Sequence, residues 1–193
     1  MNTYLTLKLI RWVCVGLAIF PALVQAEPSG IIPRYLLAGP SGQAISEDDF
    51  RGRFQLITFG YTFCPDICPT TLAEMTQVLR SLPVADAEKL RLIFITVDPE
   101  RDTPSVLKTY TTFFDTRIVG LSGSPELVSR AARNFKVRYA KVNPVGSSAE
   151  HYSVDHSAGM FLLGPDGQFI KKFPYGKPLN ELQAEVLQFI QAH

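Results

Sequence analysis

The sequence predicts an α/β fold with a central mixed sheet and helices on both faces. Three observations carry this. Phe54 to Gly60 (FQLITFG) and Leu90 to Val97 (LRLIFITV) are continuous apolar runs rich in strand formers, as in strands buried on both faces. Segments with helical spacing follow each run, and strands alternating with helices imply a parallel portion of sheet. Near the C-terminus, Gly164-Pro165-Asp166-Gly167 separates two strand-like runs, a strong hairpin signal.

Each element follows in order. Tyr35 to Ala38 and Gln43 to Ile45 flank Gly39-Pro40-Ser41-Gly42, a short N-terminal hairpin. Ser46-Glu47-Asp48-Asp49 reads as a polar turn with a cap-like serine. After the first buried strand comes a loop with Cys64 and Cys68, then a helix with Pro69 at its first position. Leu72, Met75, Leu79 and Leu82 share one face of it, and Pro83 ends it. The second buried strand runs into Asp98-Pro99. Thr103 before Pro104 predicts an N-cap and a helix with Val106, Leu107, Tyr110, Phe113 and Phe114 inward. Arg117 to Leu121 is a short strand, and Ser124-Pro125 opens a helix with Leu127, Val128, Ala131 and Phe135 inward. Val137 to Val142 reads as a strand or an extended loop, and Asn143 to Ser153 as a polar, flexible excursion. Ser157 to Leu163 and Gln168 to Phe173 form the C-terminal hairpin, and Leu179 to Ile190 a closing helix. This order is the thioredoxin-like plan.

The 193 residues are 46% hydrophobic and 19% charged, with a net charge of +1. That balance gives no electrostatic case for nucleic acid. Residues 1–26 read as a targeting segment: Lys8 and Arg11, an apolar run from Trp12 to Phe20, then Val24-Gln25-Ala26 with small residues where a signal peptidase cuts. The stretch is short for a spanning helix, which needs roughly 18 or more apolar residues. The expectation is a cleaved signal peptide and a domain over 27–193, periplasmic or otherwise exported. A short membrane anchor is the alternative. Cys14 falls in this segment, which leaves Cys64 and Cys68 in the domain.

A disulfide between these two would close a very small loop and remove little unfolded-state entropy. The pair is therefore read as chemical. In open sheets sites gather beyond the carboxyl ends of parallel strands. Cys64 and Asp98 both stand there, while the Ser157–Leu163 strand, running antiparallel, brings its beginning and His156 to the same end. One reading is redox, since a thiol ahead of a helix N-terminus has its thiolate stabilised. Three residues separate the cysteines, one more than in the disulfide oxidoreductases of this fold. The other reading is metal. Soft sulfur ligands suit copper(I), and an added imidazole keeps copper(II) open; zinc wants a fourth ligand or water. His151 and His193 read as surface histidines, and His156 as a ligand or a satisfied loop histidine. Asp98 reads first as a turn former. Asp155 is exposed or orients His156. Tyr61 and Phe63 shield the site or fill the core.

TFCPDICP at 62–69, TVDPERDTP at 96–104 and VDHSAGMFLLGPDG at 154–167 resemble the Sco/SenC copper-delivery proteins in order and spacing. The resemblance covers roughly residues 28–190. It implies a thioredoxin-like fold and a copper site of Cys64, Cys68 and His156. It further implies a role in assembling the dinuclear copper centre of cytochrome c oxidase, by delivering copper to the accepting subunit or by reducing that subunit's cysteines. Many members have a longer N-terminal membrane helix, which leaves membrane association through the N-terminal segment open. A thiol–disulfide oxidoreductase using Cys64 and Cys68 is the alternative to a metallochaperone. A peroxiredoxin-type peroxidase is a remoter one, because it needs an arginine beside its cysteine.

Overall fold

A computed structural model describes residues 30–143 and 152–192. The N-terminal segment read as a signal or anchor, Cys14, His151 and His193 lie outside the described residues. In chain order the strands and helices are β1 (Leu36–Ala38), β2 (Ala44–Ser46), β3 (Phe54–Gly60), α1 (Ile67–Ser81), α2 (Val84–Ala87), β4 (Leu90–Thr96), α3 (Pro104–Phe114), β5 (Ile118–Leu121), α4 (Pro125–Asn134), β6 (Tyr139–Val142), β7 (Ser153–His156), β8 (Met160–Leu163), β9 (Phe169–Phe173) and α5 (Leu179–Gln191). Among the described residues no helix is long and apolar enough to cross a membrane.

The central sheet runs β5-β4-β3-β8-β9. Strands β3, β4 and β5 are parallel, while β8 and β9 pair antiparallel to their neighbours. Every residue of β3 is buried, as its unbroken apolar run requires. Helix α1 packs on both α3 and α5. On that face Phe94 of β4 meets Tyr110 of α3. On the opposite face Phe135, which caps α4, closes a cluster with Phe59 and Phe161. The β1–β2 hairpin is joined to the end of β5 by paired backbone bonds between Ala38 and Ser122. Ahead of β3, Glu47–Phe50 forms a 3-10 turn in which the Asp49 carboxylate accepts from both the N–H and the hydroxyl of Ser46.

Several expectations are corrected. Helix α1 starts at Ile67, so Pro69 is its third residue. The first four N–H groups of a helix have no partner within it, so proline costs nothing there. Cys68 is thereby inside the first turn. In α3, Leu107 is buried and Thr103 caps Val106, but Phe113 is 85% exposed and Val106 39%. The strand expected over Ser157–Leu163 begins only at Met160, and His156 belongs to a separate strand before it. His156 ends β7, the chain turns at 157–159, and β8 begins at Met160. Gly159 makes that turn with φ 118°, and a Cβ there would stand 2.5 Å from the Phe173 carbonyl oxygen. Val137–Val142 resolves as strand β6, which pairs antiparallel with β7 from Tyr139↔His156 to Val142↔Ser153.

Candidate metal centre

The site stands beyond the carboxyl end of β3. Gly60 ends that strand because nothing larger fits: a Cβ there would lie 2.6 Å from Cys68 Sγ and 2.9 Å from Phe94 Cε2. The chain then turns through Tyr61, Thr62 and Phe63 into Cys64. The Thr62 backbone N–H and hydroxyl both donate to Asp102, at 3.0 and 2.6 Å, and Thr96 Oγ1 donates to the same carboxylate at 2.7 Å. Asp102 is fully buried. Burial pushes its carboxyl above the usual range, opposed by the Thr62 and Thr96 hydrogen bonds. It fastens the start of the cysteine loop to the end of β4.

Cys64 is half-buried, Cys68 is 3% exposed, and both are free thiols. His156 reaches them from β7, with Nε2 3.4 Å from Cys68 Sγ. One ligand atom each from Cys64, Cys68 and His156 lie within 4.8 Å of one another. Bonds of about 2.3 Å to a central ion would separate three ligands in a plane by roughly 4 Å. The donor set fits one soft ion after small shifts, with the Cys68–His156 pair widening and any wider pair closing.

The remaining contacts set the state of these groups. His156 Nδ1 lies 3.2 Å from the Ser157 carbonyl, which fixes Nδ1 as the protonated nitrogen and leaves Nε2 facing the sulfurs as acceptor. Burial holds the imidazole below its ordinary value, opposed by the Ser157 hydrogen bond and the Asp155 charge, so it is neutral at pH 7. Asp155 itself is exposed, and the Ser157 carbonyl does the orienting. Cys68 corrects the expectation of a helix-stabilised thiolate. Its burial pushes the thiol well up, opposed by a backbone hydrogen bond at Tyr61. In a dry first turn, loss of water outweighs the helix N-terminus.

Tyr61 is buried and packs edge-on against His156, ring centroids 6.1 Å apart. Phe63 is 63% exposed and is not core; Arg101 stacks over its ring at 4.7 Å. Asp98 is more than a turn former. It is fully buried, ion-paired with Arg101 Nε at 2.5 Å, and accepts the Tyr152 hydroxyl at 2.7 Å. Sequence pattern alone does not single out Asp102, Arg101 or Tyr152. A cluster of Asp98, Arg101 and Asp102 directly beyond a buried strand, at the cysteine end, was the available signal.

A model of the SCO1/SenC family matches residues 24–191. The chain is 38% identical to the mitochondrial SCO2 homologue of Mus musculus over 159 residues, 82% of this chain and 62% of that one. It is 37% identical to the mitochondrial SCO1 homologue of Homo sapiens over 170 residues, 84% of this chain and 56% of that one. It thus spans less than two thirds of the length of either relative. Among solved structures, it resembles Bradyrhizobium japonicum ScoI with copper bound at TM-score 0.73 and 37% identity, covering 82% of this chain and 99% of that one. Yeast Sco1 with copper bound superposes at TM-score 0.76 and 30% identity, covering 84% and 90%. The fold is thioredoxin-like, as the element order predicts.

Proposed function

Since the chain belongs to the SCO1/SenC family, we propose that it is an exported copper carrier that takes up copper on Cys64, Cys68 and His156 and passes it to a cuproenzyme. The acceptor this reading favours is the dinuclear copper centre of cytochrome c oxidase. The observation that carries it is the convergence of two sulfurs and one imidazole nitrogen within 4.8 Å. Copper is the cargo here. Two thiolates and a neutral imidazole are a soft, low-coordination set that suits copper(I), and the imidazole leaves copper(II) accessible.

The arrangement suggests how loading and release work. Both cysteines must be reduced, so metal binding and thiol redox state are linked. Loading displaces the proton of each thiol, and transfer to the acceptor returns them. His156, neutral and oriented by Ser157, binds without losing a proton. Thiolates or thioethers of the acceptor then replace the three ligands one at a time. Copper keeps its charge throughout, so the exchange needs no oxidant or reductant.

A second reading rests on the unequal exposure of the cysteines. Half-buried Cys64 suits attack on a disulfide of the copper-accepting partner, and buried Cys68 suits resolution of the mixed disulfide. The partner would leave as a dithiol and this chain as a disulfide.

An anaerobic copper(I) competition titration of the reduced protein tests the first reading. We expect one tight equivalent, weakened at least tenfold in His156→Ala and unchanged in His151→Ala. Equal affinities for the two variants would remove His156 from the site. Weak binding by all three proteins would transfer the case to the redox reading.

A further inference from the structure

We propose that Arg101, acting through Asp98 and Tyr152, is a positioning residue that holds His156 against the cysteine pair. The proposal deepens the copper-carrier reading and rests on it for its functional meaning.

The starting point is a gap in the sheet. Strands β6 and β7 form a two-stranded sheet of their own, and neither pairs with the five-stranded sheet that positions the cysteines. Ladder hydrogen bonds therefore do not fix His156 relative to Cys68. Beyond His156, the turn is tied to β3, where Thr58 Oγ1 donates to the Gly159 carbonyl at 3.0 Å. Within β7, buried Val154 makes a backbone hydrogen bond with the Tyr61 side chain, and a further tie before the strand would keep it from swinging about that turn.

Tyr152 supplies it. Its hydroxyl donates to Asp98 Oδ1 at 2.7 Å, and its carbonyl accepts from Arg101 Nη1 at 3.0 Å. Its ring lies 3.7 Å below the Arg101 guanidinium. Asp98 is a firm base for these contacts. It is fully buried, its N–H donates to Thr96 Oγ1 at 2.9 Å, and Arg101 Nε holds its other oxygen. The same guanidinium stacks over Phe63 at 4.7 Å and Tyr61 at 5.7 Å, both in the cysteine loop. Tyr61 in turn packs edge-on against the His156 ring. One planar cation thus touches the cysteine loop, the β4–α3 loop and the segment carrying His156. Only a guanidinium can stack on aromatic rings while donating in two in-plane directions, so lysine would not replace it.

The test separates positioning from general support. In copper(I) competition, Arg101→Ala should weaken binding by about tenfold or more, in the range seen when groups that orient metal ligands are removed. Arg101→Lys should not restore it. In a His156→Ala background, Arg101→Ala should cost nothing further, because its effect runs through the imidazole. Equal losses in both backgrounds would overturn the proposal. Tyr152→Phe removes only the hydroxyl bond to Asp98; it should show a smaller loss with the same dependence on His156, and it serves if Arg101→Ala fails to fold. An independent arm uses the metal-free protein. Amide exchange at 153–156 should quicken in Arg101→Ala and Tyr152→Phe while β3 and β4 stay protected. Unchanged exchange in β7 would also overturn it. Wild-type protein without tight copper binding would sink the carrier reading, and the exchange arm would still decide the tie.

Discussion

Gly60 shows how closely the site depends on single atoms. It is the last residue of β3, and Cys68 Sγ occupies the space where its side chain would begin. Gly60→Ala should lower stability by about 1–3 kcal/mol, the usual cost of overfilling a packed site. Because the clash falls on the sulfur itself, copper affinity should fall too. Urea unfolding and a copper titration on the same preparation check both; an unaltered variant would mean that α1 can shift freely, against its packing on α3 and α5. The proposed ligands would also set a pH dependence. Burial keeps Cys68 protonated near neutrality, whereas His156 is held below its ordinary value and is already neutral there. Between pH 6 and 8 the Cys68 proton therefore stays on until copper displaces it, and binding releases that proton to a solution that takes it up more readily as the pH rises. Apparent copper affinity should rise about tenfold per pH unit for that thiol. Protonation of His156 should add a further loss only at the acid end, and His156→Ala should abolish that part alone. A flat profile between pH 6 and 8 would contradict the buried thiol.

At the scale of elements, legibility followed the strength of the local pattern. FQLITFG and LRLIFITV are strands in the structure to within a residue, because a run buried on both faces has one solution. Thr103-Pro104 and Ser124-Pro125 cap α3 and α4 as read, since both serine and threonine side chains accept from the third residue of the helix. The N-terminal start of α1 was harder. Pro69 tolerates any of the first positions, and the sequence does not say which. Phe113 is apolar, yet it lies off the Leu107–Thr111 face that packs on β5, and hydrophobicity alone does not place a side chain. Strand β7 is four residues, SVDH, with only Val154 buried. Such a strand carries almost no alternation signal, so His156 reached the right end of the molecule on the wrong strand. The cysteine pair was legible from its spacing and from the strand before it. The groups that hold the histidine, Asp98, Arg101 and Tyr152, were not, because their meaning lies in contacts 51 and 54 residues apart in sequence.

At the scale of the whole molecule, the described residues form a buried five-stranded sheet with the smaller β6–β7 pair beside its working end. The five-stranded sheet buries β3, β4 and β8 almost completely, and α1 brings Cys68 into that core. The β6–β7 pair is mostly exposed, with Val154 its one buried apolar residue. Regions with little buried apolar area open at lower free energy than the core. In the metal-free protein, the amides of 139–142 and 153–156 should therefore exchange much faster than those of β3 and β4. Copper would bridge the two parts, since two of the proposed ligands belong to the core side and one to β7. Binding confined to the closed form stabilises that form by mass action. Loading should thus slow exchange in β6 and β7 selectively and leave the core strands nearly unchanged, as hydrogen-exchange mass spectrometry at one pH would show. In His156→Ala the core cysteines still offer two ligands, but the bridge is gone, so copper should no longer protect the hairpin. Equal slowing throughout the molecule would mean that the hairpin and the sheet open as one unit, and release would then require wider opening than departure of one imidazole.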